Sequence, residues 1–211
     1  MSIKKLIFEG DLEEVATTAD EASTQNLAFY LKKTAYGYKG VLYSTGAMWR
    51  FFQELPKEAT GIEKSDVQNF RGKVVYGTFT ANFEPEIDGC EIDTMAALNS
   101  YGPLMYDILS SYAGWIIRDT SGVSPAARRV WQYIFQRRND WEFQWAPEEF
   151  RVNNRKANPL NYKYRIKTPV RMDALLSAHK AFVKSLDRDP SVVEDTLSRF
   201  GSAFFEQMYD Y

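Results

Sequence analysis

Lys163, Arg165 and Lys167 alternate with Tyr162, Tyr164 and Ile166. Successive side chains of an extended backbone point to opposite sides, so this spacing predicts cations on one side and mostly rings on the other. Cations beside flat rings suit a polymer of phosphates and bases, because guanidinium and ammonium groups neutralise phosphates while rings stack on bases. The whole segment 151–171, RVNNRKANPLNYKYRIKTPVR, holds seven basic residues and no acid. From Arg118 to Arg171 there are twelve Arg/Lys against five Asp/Glu, a net +7 in a chain of net −2. The predicted phosphate contacts are Arg128, Arg129, Arg137 and Arg138, extended by Arg155, Lys156, Lys163, Arg165 and Lys167. Tyr162, Tyr164 or Trp141 would stack bases. Such a surface predicts salt-sensitive, sequence-tolerant affinity. A second reading stays open, in which the basic stretch solvates itself or pairs with acidic segments of the chain or of a neighbouring copy. Such segments exist: the first thirty residues and the last twenty-six each carry six acids against two bases.

Other chemistry is sparse. The one histidine, His179, lies four residues after Leu175 and three before Phe182, on or beside the apolar face of its helix. A general base is one reading, and a packed boundary residue with one ring nitrogen reaching water is the simpler one. No G-x-S-x-G turn presents a nucleophile. Cys90, the one cysteine, sits in an acidic stretch that would raise a thiol pKa. One Cys and one His do not supply a zinc ligand set. The acidic run Glu84, Glu86, Asp88, Glu91, Asp93 could take a hard cation, but it lacks the EF-hand pattern and reads more simply as a solvated loop leading into a helix cap. Phosphate-binding glycine loops are absent. No enzyme activity, cofactor or resident metal is expected.

The elements that must position these residues read as mainly helical. The 211 residues, 45% hydrophobic and 15% aromatic, suffice for one domain with a sizeable core. One cysteine gives no intramolecular disulfide. The start, MSIKKLIFEGDLEE, does not read as a signal peptide, and no window approaches the roughly 18–20 apolar residues that span a bilayer, so no membrane partner is expected. Residues 1–18 read as an arm with a brief strand at Lys4–Phe8, and 19–211 as a single domain. Helices are expected over Asp20–Tyr36, ended by Gly37 and Gly40, over Ala47–Leu55 behind a cap offered by Ser44-Thr45-Gly46, and over Asp66–Phe70 behind Ser65. Val41–Tyr43 is a possible short strand. Lys73–Phe83 is the best strand, rich in β-branched residues at period two, and is expected as a hairpin arm or sheet edge. Asp93 should cap a helix over Thr94–Tyr101, broken at Gly102-Pro103. A stripe from Leu104 through Trp115 and Ile116 predicts the next helix, and Ser124-Pro125 opens another, with Ala127, Val130, Trp131, Ile134 and Phe135 on its apolar face. Residues 139–169, broken by prolines and asparagines, read as irregular. Two helices, Met172–Leu186 and Ser191–Tyr209, close the chain, and Gly201 inside the last would permit a close helix contact. The expected class is mainly α, with a small β-hairpin or strand element and extended arms.

Three stretches resemble coat proteins of flexible filamentous plant viruses, the potyvirus-like ones most. They are Arg71-Gly72-Lys73-Val74-Val75, then Gly114-Trp115-Ile116 running to Gly122-Val123-Ser124-Pro125, then Lys167-Thr168-Pro169-Val170-Arg171. Their order is similar, the last two lie closer together than in that family, and they cover under a tenth of the chain. The resemblance implies a mainly helical RNA-coating subunit with assembly arms, and no binding residue is carried over from it. Taken together, the expectation is a non-enzymatic, self-assembling structural protein of coat or nucleocapsid type, found in a virion or in cytoplasm. Its partners would be copies of itself and nucleic acid, RNA first. The alternative is a virion or complex assembly subunit, such as a phage connector or tail component, without nucleic-acid contact, and a third, lesser reading is a small enzyme using the acidic run 84–93 or His179.

Overall fold

The computed structural model describes residues 16–55, 63–70, 72–119 and 122–209. The expected strand at Lys4–Phe8 and Arg71 of the first resembling stretch lie outside them. Among the described residues the chain forms α1 (Ala19–Thr24), β1 (Leu27–Lys33), β2 (Gly37–Ser44), α2 (Thr45–Glu54), α3 (Lys64–Asn69), β3 (Val75–Glu84) and β4 (Gly89–Ala97). There follow α4 (Gly102–Ala113), β5 (Trp115–Ile117), α5 (Pro125–Arg137), β6 (Trp141–Trp145), β7 (Tyr162–Ile166), α6 (Asp173–Ser185) and α7 (Pro190–Tyr209). The strands make one seven-stranded sheet in the order β1-β2-β3-β4-β5-β7-β6. The expected mainly helical class, which the viral resemblance also implies, is therefore wrong: this is an α/β fold with a mixed sheet at its centre.

Strands β1 to β4 run as an antiparallel meander, pairing Phe29 with Leu42, Gly40 with Phe79 and Phe79 with Met95. β4 then pairs in parallel with β5, Cys90 beside Ile116, and α4 is the crossover that a parallel pair requires. β5 meets β7 antiparallel at Ile116 and Tyr164, and β6 pairs with β7 at the far edge. Gly40 has no side chain because its Cβ would lie 2.5 Å from the Phe79 ring and 2.6 Å from that of Phe29.

Each miss has a physical reason. In the expected helix Asp20–Tyr36, Asn26 takes a left-handed φ of 57°, a conformation that Asn tolerates, and stops α1 there. Leu27, Ala28, Phe29 and Tyr30 are then all buried, because helices cover both faces of β1, so a strand shows a continuous apolar run rather than alternation. The expected helix Thr94–Tyr101 fails because Met95 and Ala96 pair across to Phe79 and Thr78. Asp93 caps nothing; it sits at the bulge in that ladder and accepts a 2.8 Å hydrogen bond from Thr80 Oγ1. Pro103 opens α4 instead of breaking a helix. Val75–Glu84 is a strand, but an interior one. The segment 139–169 contains β6 and β7, and only the stretch between them is irregular.

Two large cores flank the sheet. Leu27, Phe29, Leu42, Phe79, Cys90, Ile92 and Ile116 meet α1, α4 and α5 on one face. Ala28, Tyr30, Val41, Tyr43 and Val75 meet α2, α3, α6 and α7 on the other. α6 runs along β1, with Leu175 in the first core and Phe182 in the second, and so covers that edge. Gly201 lets α7 approach the sheet closely: a Cβ there would lie 2.9 Å from Thr78 Oγ1 and 3.0 Å from Val41 Cγ2. Gly201→Leu should therefore lower stability by about 2 kcal/mol despite its better helix propensity. A urea midpoint at or above that of the parent would show that α7 can move away without loss.

Candidate nucleic-acid interface

The predicted contacts lie on α5, on the β6–β7 hairpin and on the excursion between those two strands. α5 starts where Ser124 Oγ accepts from Ala127 N–H at 3.2 Å and Pro125 takes the first helical position. Its inner face seats Trp131 between Tyr106 and Tyr164, with ring centroids at 4.8 and 4.9 Å. Its outer positions present Arg128, Arg129, Gln132, Gln136 and Arg137, all exposed, and the helix PAARRVWQYIFQR contains no acid. Arg128 also donates from Nε to Val123 O at 3.3 Å.

Arg138 does not belong to that surface. It leaves the end of α5 and turns inward, donating from Nε and Nη2 to Asp140 at 2.7 and 2.6 Å. Nη2 also reaches both oxygens of Asp107 on α4 at 3.1 Å. Trp141 Nε1 donates to the same Asp107 at 3.1 Å. Burial pushes the Asp107 carboxyl from the ordinary 3.8 up to about 6, with Arg138 pulling against it. Burial also opposes the Arg138 charge, but its carboxylate hydrogen bonds, Asp140 first, outweigh this and raise its pKa. The guanidinium is thus shared between the more exposed Asp140 and the buried Asp107, and Asp107 bears the cost of desolvation. One helical turn on, Ser110 Oγ accepts from Ile166 N–H at 2.9 Å and Ser111 Oγ from Val170 N–H at 3.0 Å. Asp107, Ser110 and Ser111 together bind α4 to the hairpin and the segment after it.

In the hairpin the sequence alternation becomes a real strand. Tyr162, Tyr164 and Ile166 face α5 with Trp141, Phe143 and Trp145, while Lys163 and Arg165 take the other face. Those cations are occupied. Lys163 Nζ donates to Ile87 O at 3.1 Å, and Arg165 Nε to Glu142 at 2.6 Å. Both lie over the Trp115 ring, at 4.7 and 4.6 Å from its centroid. Lys167 Nζ donates to Asn139 O at 2.7 Å. Tyr164 is 1% exposed and Trp141 3%, so neither ring can stack a base. Tyr162 is half-buried, its hydroxyl donating to Lys156 O at 2.8 Å. Of the predicted track, Arg138 turns inward and Lys163 is half-buried; Arg165 and Lys167 are exposed but bonded within the chain, and Arg155 and Lys156 are exposed on the excursion, where the Lys156 carbonyl meets Tyr162, itself against Phe135 of α5.

The excursion carrying Arg155 and Lys156 is ordered by two residues that sequence reasoning did not single out for this role. Arg118 donates to Leu160 O at 3.2 Å and to Phe150 O at 3.1 Å. Asn161, fully buried, accepts from Val152 and Asn153 N–H and donates to Asn153 Oδ1 and Arg155 O. A buried asparagine in an asparagine-rich stretch has no distinguishing signal in one sequence. The alternation Trp141-Glu142-Phe143-Gln144-Trp145 was such a signal, masked by the prolines around it.

The other candidate groups are dispersed. Cys90 is buried in the first core, and burial pushes its thiol up to about 11. His179 lies across the sheet, with Nδ1 2.9 Å from the Tyr43 hydroxyl and its ring against Tyr30, so the two do not form a pair. Burial lowers its pKa, against a raising effect of Glu194. Among the described residues no three His, Cys, Asp or Glu side chains converge as metal ligands, and no helix is long and apolar enough to cross a membrane.

Two outcomes test this anchoring. The folded chain holds the Asp107 proton more tightly than the unfolded chain, so this carboxyl's contribution to stability is present below 3.8 and lost as pH rises to about 6. The loss is on the order of 2–3 kcal/mol. Asp107→Asn should flatten the pH dependence of urea unfolding across that window, and an unchanged slope would remove Asp107 as its source. Asn161→Ala leaves the Val152 and Asn153 amides without an acceptor, at a cost of about 2 kcal/mol. It should hasten native-state tryptic cleavage after Arg155 and Lys156; unaltered cleavage would mean that other contacts hold the excursion.

Comparison of the chain with family models, with curated proteins and with solved structures finds no match.

Proposed function

We propose that this chain is a non-enzymatic structural subunit that binds the backbone of nucleic acid, RNA first, on the outer face of α5 and the neighbouring excursion. One observation carries the reading: α5 exposes Arg128, Arg129 and Arg137 without a single acid along its length, and Arg155 and Lys156 stand exposed nearby. Gln132 and Gln136 lie between the arginines as uncharged donors for phosphate or sugar oxygens. The contacts are to backbone groups, so affinity depends on length and salt rather than on sequence. Tyr162 keeps part of its ring at the surface as the one predicted stacking residue still available.

A second reading has its own support. Arg138, Lys163, Arg165 and Lys167 all meet carboxylates or carbonyls within the chain, and a protein that uses cations in this way can use the remainder between copies. On that reading the chain is an assembly subunit whose α5 meets acidic segments of a neighbour.

Fluorescence anisotropy with a labelled single-stranded RNA of mixed sequence separates the two. Affinity should fall linearly on a logarithmic salt scale, and Arg128→Gln and Arg137→Gln should each reduce the slope by about 0.7. Arg165→Gln, on the other face of the sheet, should leave it unchanged. Absence of binding at low salt, or equal slopes in all variants, would overturn the nucleic-acid reading in favour of the assembly subunit.

A further inference from the structure

The sheet has two edges, and they are treated differently. β1 is covered by α6, whereas no described strand pairs with the outer side of β6. The phase of the β6–β7 ladder follows from its flanks, where Lys167 N–H donates to Asp140 O and Ala146 N–H to Asn161 O. Glu142 and Gln144 therefore exchange their backbone bonds with β7, and the N–H and C=O groups of Phe143 and Trp145 point out from the edge. The Trp141 carbonyl points the same way, while its N–H turns back to Arg138 O at 3.4 Å. Natural edges are usually blunted by an unpaired charge, a proline or a bulge. β6 has no proline and no register shift, its one charge is bound to Arg165, and its central residue, Phe143, is 44% exposed.

The strand Trp141-Glu142-Phe143-Gln144-Trp145 is also self-complementary. A two-fold axis through Phe143 sets an antiparallel copy so that Phe143 faces Phe143, Trp141 faces Trp145, and Glu142 faces Gln144. Rings then meet rings on one face of the sheet. On the other, a carboxylate meets an amide, and no carboxylate meets its like. We infer that β6 is an isologous interface, through which two copies of this chain join edge to edge into one continuous sheet. This deepens the reading of the chain as self-assembling, on which it rests, by naming the surface used.

Sedimentation velocity of the full chain, freed of nucleic acid, should show a dimer that becomes a folded monomer in Phe143→Lys, which puts two cations face to face on the axis. Phe143→Cys should form a disulfide-linked dimer on mild oxidation, since facing residues lie within reach of a disulfide. The native Cys90 is buried and does not compete. Gln144→Cys, diagonal to its own copy, should not cross-link. A dimer that survives Phe143→Lys, or that fails to cross-link through Phe143→Cys, overturns this interface while leaving self-assembly intact. A parent protein that stays monomeric, including one whose edge is filled by its own residues 1–15, overturns both.

Discussion

The ion pair between Asp107 and Arg138 decides where the later half of the chain sits. Asp107 belongs to α4, the crossover that joins the parallel strands β4 and β5. Arg138, Asp140 and Trp141 belong to the corner between α5 and β6. One carboxylate thus fixes a helix end, a turn and the first residue of an edge strand. An apolar contact could supply similar cohesion, but a charge with few buried partners accepts fewer arrangements. Ser110 and Ser111 continue the same row, so the otherwise apolar α4 carries a polar rail on which the hairpin is seated in one register.

That arrangement explains why a basic segment need not be a basic surface. Arginine and lysine bring several donors each, and the connections after β5 contain many carbonyls that no ladder satisfies. Arg118, Arg151 and Lys167 meet that demand, while Arg138 turns to carboxylates and Lys163 to the carbonyl of Ile87 before β4. Trp115, with a cation from each of two β7 residues over its ring, serves as a third kind of acceptor. Charge counting along a sequence therefore misses which cations are already bonded within the chain, while the outward residues of α5 and the excursion tip reach solvent.

Local signals in the sequence were read well where they were local. Ser124-Pro125 opened α5, Ser44 of the Ser44-Thr45-Gly46 triplet capped α2, and the alternation over Tyr162–Ile166 became β7 with its faces as expected, while the close approach at Gly201 is to the sheet and not to a helix. What escaped was the sheet. Leu27–Tyr30 is buried on both sides by elements that arrive from both ends of the chain, so its apolar run fitted a helix stripe equally well. β5 is only three residues long and exists because α4 returns the chain beside β4. No period can be read in three residues. For the candidate surface, residue types were legible, but which cations are bonded within the chain depended on Asp107, Glu142 and the carbonyls of Ile87 and Asn139, none of which is close in the sequence to all the groups it gathers.

The second core has an asymmetric origin. Its sheet side, Ala28, Tyr30, Val41, Tyr43 and Val75, comes from the first 75 residues, while much of its cover, Phe182, Leu186, Val193, Leu197, Phe200 and Ala203, comes from the last 30. Within the meander β1–β2 and β3–β4 are joined by short turns, whereas α2 and α3 lie between β2 and β3, so each hairpin can form early from local contacts. α2 and α3 cover part of the sheet's apolar face early, but the part under α6 and α7 must wait until nearly the whole polypeptide has been synthesised. During that interval the nascent chain displays the tyrosine and valine side chains that α6 and α7 will later cover, an exposed apolar surface of the kind that favours aggregation.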